Sequence, residues 1–176
     1  PAAEEMSYVY GTLAAARAGR SADVFVQTRD AYGNFLRADP ALYPVGTEQL
    51  AFELCDTNPP LDSAPPEAYQ RPCAGAGKRE EDVTITITYG TGPGGKKLNP
   101  RTGEVYWGLY RITMFPFEEG SFYPQVRHNA RYLRCFFDAP PDTPSEALDP
   151  GPAAVDACVA AVRDLASSSS ASRRTR

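Results

Sequence analysis

Histidine is nearly absent from this 176-residue chain: His128 is the only one. That rules out histidine-rich metal centres. Any Ser-His-Asp triad would rest on a single side chain in the turn-like stretch QVRHNARY, where an exposed or hydrogen-bonded imidazole is the simpler expectation. No C-x-x-C occurs, and Cys55 and Cys73 stand too far apart for a zinc knuckle. Basic excess is missing as well. With 18 Lys and Arg against 22 Asp and Glu the net charge is −4, which argues against a nucleic-acid face. No apolar run approaches the ~20 residues that span a bilayer. No Asn-x-Ser/Thr acceptor is present, so N-glycosylation gives no hint of secretion. No signal peptide opens the chain, and Pro1 in place of Met reads as a fragment or a processed product. The acidic pairs Glu4-Glu5, Glu80-Glu81 and Glu118-Glu119 are adjacent, so on strands their members point apart and in turns they are solvated. The expectation is a protein without enzymatic activity, metal or cofactor.

What is abundant is turn chemistry: 17 Pro and 14 Gly predict many short elements and little long helix. The organising stretch is Ala22 to Asn34, ADVFVQTRDAYGN. Ala22, Val24, Val26 and Thr28 alternate onto one face of a strand, with Asp23, Phe25, Gln27 and Arg29 on the other. Asp30, Gly33 and Asn34 then predict a structural turn, because Gly and Asn tolerate positive φ and Asp bonds amides ahead of it. Further strands are predicted over Ser7–Gly11, Gln49–Cys55, Asp82–Tyr89, Glu104–Phe115, Phe122–Val126 and Arg131–Phe137. Residues 1–6 read as a tether, 56–81 as a Pro-rich insertion and 139–151 as a Pro-rich linker. Val155, Cys158, Val159, Val162 and Leu165 make an apolar stripe on a helix predicted over 152–166, with residues 167–176 a disordered tail.

The run AGRSADVFVQTRDAYGN resembles the second-strand signature of filamin-type immunoglobulin-like repeats, through Thr28, Arg29, Asp30, Ala31, Gly33 and Asn34. EVYWGLYRITMFPFEEGSFYPQVRHN resembles the later hairpin of that family at Gly108, Tyr110, Ile112, Pro116, Glu119, Gly120 and Tyr123. The resemblance covers roughly residues 7–138. It implies an all-β, Greek-key immunoglobulin-like sandwich. It also implies a non-catalytic module that binds other proteins, in some members by adding a partner strand at an open sheet edge.

The remaining motifs sort against that frame. Gly90, Gly95 and Lys96 mimic the start of a phosphate-binding loop, but Lys97 replaces the magnesium-binding hydroxyl and Leu98-Asn99-Pro100 does not open a helix. A hairpin loop is the better account. Of four cysteines, Cys55 and Cys73 bracket the insertion and Cys135 and Cys158 form a second candidate pair. Three pairings are open, as is a set of four reduced thiols. Aromatic residues crowd the later hairpin; Tyr106, Trp107, Phe117 and Phe122 are the candidates for partner contact, against a reading in which they fill the core or cover an edge. Two settings compete. One is a cell-surface adhesion protein, similar to the filamin-repeat proteins of plant and algal gametes, with oxidised cysteines. The other is a cytoplasmic cytoskeletal or ciliary scaffold, actin- or microtubule-associated, with reduced ones.

Overall fold

The computed structural model describes residues 6–12, 19–36, 50–56, 83–117, 122–128, 131–140 and 143–173. Eight strands are present among these: β1 (Tyr8–Gly11), β2 (Ala22–Gln27), β3 (Leu50–Asp56), β4 (Val83–Tyr89), β5 (Leu109–Pro116), β6 (Phe122–His128), β7 (Arg131–Tyr132) and β8 (Cys135–Asp138). One helix, α1, spans Pro152–Arg173. The strands form a five-stranded mixed sheet in the order β4-β5-β2-β1-β8 and a three-stranded sheet in the order β3-β6-β7. All pairings are antiparallel except β1 with β8, where Tyr8 lies opposite Cys135 and Gly11 opposite Asp138.

The five-stranded sheet is buried on both faces along β1 and β2, and alternation decides which residue goes where. Val9, Val24, Val26, Ile112 and Met114 meet Val126 of β6 and Leu133 in one apolar cluster, with Phe52 of β3 packed beside them. The residues between them, Tyr8, Tyr10, Phe25, Leu109 and Cys135, meet Val155, Val159 and Val162 of α1 in a second cluster. Phe25, which the alternation groups with polar residues, is therefore as buried as Val24. Its ring stacks on Tyr10 at 5.1 Å. Each cluster removes several large side chains from water, worth about 1.5–3 kcal/mol apiece before ordering costs.

Five expectations shift. The predicted strand Glu104–Phe115 begins only at Leu109. Gly108 sits at φ +66° and Trp107 N donates to Val105 O, so the chain turns rather than extends before that point. Arg131–Phe137 is not one strand. It breaks at Leu133 and Arg134, and its two halves join different sheets, β7 beside β6 and β8 beside β1. Leu133 N donates to Val126 O at 2.9 Å, and its fully buried side chain fills the cluster between them. The helix continues past 166 to Arg173, so residues 167–173 are helical rather than disordered. Leu165, counted in the apolar stripe, is 66 % exposed, because the buried stripe ends at Val162. Met6, placed in the tether, is buried against α1, where Arg163 Nη2 lies 3.2 Å from its Sδ.

Candidate functional site

Three surfaces carry chemistry. The first is the end of β2, where the sequence predicts the turn. Asp30 Oδ1 accepts from the amides of Tyr32 and Asn34, each at 2.9 Å, and Oδ2 accepts from Asn34 Nδ2 at 3.1 Å. Those bonds hold the exposed Asp30 carboxyl below its ordinary pKa, the Asn34 side chain contributing most. Gly33 takes φ +85° and its amide closes on Asp30 O. The turn presents Tyr32 at 90 % exposure. Arg29, just before it, lies over the rings of Tyr8 and Phe35, each at 5.2 Å.

The second surface is the β4 side of the sheet. β4 pairs only with β5 among the described residues, which leaves its other edge without a described partner strand. Thr84, Thr86 and Thr88 are exposed on one face, opposite Phe115, Thr113 and Arg111 of β5 in register. Asp23 binds two of those neighbours: Arg111 Nη2 at 2.7 Å and Thr113 Oγ1 at 2.8 Å. Ile87, on the opposite face, is 44 % exposed. Phe115 and Phe117 meet edge to face at 5.5 Å near the end of β5.

The four aromatic candidates do not form one strip. Tyr106 and Trp107 precede β5 and Phe117 follows it. Eight strand residues lie between, a separation of roughly 25 Å. Tyr106 is half-buried beside the α1-facing cluster. Trp107 is also half-buried, and its carbonyl accepts from Gln27 Nε2 at 2.8 Å. Phe117 is exposed. The Phe122 side chain, like that of His128, lies outside the described residues. So do Cys73 and the insertion, which places the Cys55–Cys73 pairing there too. Cys135 and Cys158 are joined by a disulfide, with Cα atoms 5.9 Å apart.

The loop Gly90–Gly103 uses its amides on itself. Gly92 N donates to Lys96 O and Gly95 N to Gly92 O, while Lys97 Nζ donates to Thr91 Oγ1. No helix follows, only the Leu98–Val105 bridge. The loop instead forms one wall of the third surface, a groove closed opposite by the turn around Ser145–Ala147. Tyr10 is its floor, Tyr106 and Pro93 flank it, and Lys96, Arg101 and Asp149 reach its rim. Gly92 is required here, since a Cβ would overlap the Tyr106 ring. Sequence reasoning missed Lys96, Arg101, Ser145 and Asp149 as a group. They come from segments that no local spacing connects.

Among the described residues no group of three or more His, Cys, Asp or Glu side chains could hold a metal ion. No described helix is long and apolar enough to cross a membrane. Comparison of the chain with protein-family models and with curated proteins gave no match.

Proposed function

We propose that this chain is a non-enzymatic interaction module, a filamin-type immunoglobulin-like sandwich that mediates protein–protein contact in cell-surface adhesion. Two sheets sharing one apolar cluster, linked by a segment that leaves one for the other at Leu133, support the sandwich reading. The observation that carries the interaction reading is β4, a seven-residue strand of alternating β-branched residues at the rim of the larger sheet. Such an edge offers backbone donors and acceptors to an added strand. The Cys135–Cys158 bridge favours an oxidising compartment over a cytoplasmic scaffold with reduced thiols.

Beads coated with the oxidised, folded module should adhere to intact cells that display the partner. Ile87→Lys, which puts a charge beside the open edge, should abolish adhesion without lowering the melting temperature. Co-sedimentation with actin filaments or microtubules in the absence of cell adhesion would assign the module to the cytoskeleton instead.

A further inference from the structure

The open edge of β4 is complementary to itself. Gly90 N donates to Leu109 O, its opposite number on the neighbouring strand. In an antiparallel pair such bonding recurs at every second residue, so Thr88, Thr86 and Thr84 also turn their backbone groups inwards to β5. The N–H and C=O groups of Val83, Ile85, Ile87 and Tyr89 therefore point outwards, to the side where no described strand lies. Edges of this kind are normally blunted by a lysine, a proline or a bulge. From Val83 to Tyr89 β4 has none of these, and no charged residue of either sign.

The strand also reads nearly the same in both directions. Flanking Thr86 are Ile85 and Ile87, then Thr84 and Thr88, then Val83 and Tyr89. A second copy related by a two-fold axis through Thr86 sets Ile85 opposite Ile87 and Val83 opposite Tyr89. Those are the outward-facing residues of both strands, so every outward backbone group meets a partner. A slip of one residue would set outward groups against inward ones. On one face Thr84 meets Thr88 and Thr86 meets its own mate, pairs that favour sheet formation. On the other, Ile85 of one copy covers the 44 % exposed Ile87 of its mate. Charge favours the same direction. The chain enters β4 from Glu80-Glu81-Asp82 and leaves it towards Lys97, whose Nζ is held at Thr91 Oγ1. An antiparallel mate brings acidic entry to basic exit, whereas a parallel one would bring like to like. We infer that β4 pairs with β4 of a second copy, antiparallel about Thr86, in a continuous ten-stranded sheet with five strands from each copy. This rests on the reading of β4 as the contact edge and names what the edge contacts.

One strand pair is a small interface, so the association is weak and reversible. Sedimentation velocity on the full oxidised chain, from roughly 10 μM to 1 mM, should show monomer passing into dimer. Ile87→Lys should raise the dissociation constant about tenfold or more, with an unchanged melting temperature. Mild oxidation of single-cysteine variants, against the parent as control, reads the register. Thr86→Cys should cross-link to itself. Thr84→Cys should not, yet it should cross-link to Thr88→Cys when the two are mixed. A monomer at every concentration, a dimer that Ile87→Lys leaves intact, or Thr84→Cys coupling to itself as readily as Thr86→Cys would overturn the inference. A monomeric parent whose beads still adhere to cells, and lose adhesion on Ile87→Lys, would overturn the self-pairing alone and leave the edge with another partner. Adhesion indifferent to Ile87→Lys would remove the edge itself.

Discussion

Gly108 and Thr28 are locked together. The Thr28 amide and its Oγ1 both donate to the Gly108 carbonyl, at 2.8 and 2.9 Å, and the Gly108 amide donates to the Tyr89 hydroxyl at 3.0 Å. A Cβ on Gly108 would stand 2.8 Å from Thr28 O, at a φ of +66° that side chains disfavour. This one contact ties the exit of β2, the entry of β5 and the end of β4.

Gly108→Ala should therefore cost about 2–4 kcal/mol, from backbone strain and the steric clash together. Thr28→Val keeps the amide bond and loses the hydroxyl, so about 1–2 kcal/mol is expected. Urea unfolding monitored by the single Trp107 next to this contact measures both. A Gly108→Ala protein as stable as the parent would contradict the account.

Cys135 and Cys158 lie 23 residues apart and clasp α1 to β8. Reduction should lower stability by about 3 kcal/mol, or roughly 6–12 °C in melting temperature. Hydrogen exchange at Val155, Val159 and Val162 should quicken on reduction before exchange in β2 does. Truncation before Pro152 should lower the melting temperature at least as far, since it also uncovers Tyr8, Tyr10 and Phe25. Unchanged exchange along α1 in the reduced protein would show that packing alone holds the helix.

Tyr8 is buried, which pushes its pKa from 10 up to about 12; Asp149 adds to the rise and Arg29 opposes it. The folded state therefore retains a proton that the unfolded chain releases above pH 10. The corresponding stability is complete below pH 10 and is lost as pH climbs towards 12, on the order of 2 kcal/mol. Tyr10 is shifted in the same direction. Alkaline unfolding curves should shift to lower pH when Arg29→Met removes the opposing charge. An unchanged curve would show that the guanidinium does not act on Tyr8.

Asp30 behaves in the opposite sense. Its folded pKa is depressed, so the stability it supplies is present above the ordinary carboxyl pKa and fades as pH falls through the lower folded value. Asp30→Ala should loosen the turn at any pH, seen as faster amide exchange at Tyr32 and Asn34. Asp30→Asn should retain much of the protection through its remaining oxygen. Equal protection in Asp30→Ala and the parent would remove the carboxyl from the turn.

Local chemistry was readable from the residues; tertiary covering was not. Strand alternation placed Val24 and Val26 on one face, and T-R-D-A-Y-G-N announced the turn that Asp30 closes. Alternation also places Phe25 on the opposite face, but what buries it there is a helix more than a hundred positions later, and periodicity carries no information about that distance. RYLRCFF reads as one strand because aromatic and apolar residues stand on both sides of Arg134 with no Gly or Pro between them. Only pairing partners reveal that Arg131 and Cys135 belong to different sheets. The aromatic candidates crowd together in sequence, yet a strand separates residues near its two ends by its full length. The groove was invisible for a related reason: Tyr10, Arg101 and Asp149 meet through three segments with no shared pattern.

The break at Leu133 has a kinetic consequence. Because β7 completes one sheet and β8 the other, neither sheet can be finished while that segment is unplaced. β1, near the start of the described chain, must wait for β8, near its end, to pair in parallel. Contacts this distant in sequence place the domain among slow folders, on the millisecond-to-second scale. The β1–β8 pair and the helix bound to it should form last on refolding, and loss of the two sheets on unfolding should be a single concerted event.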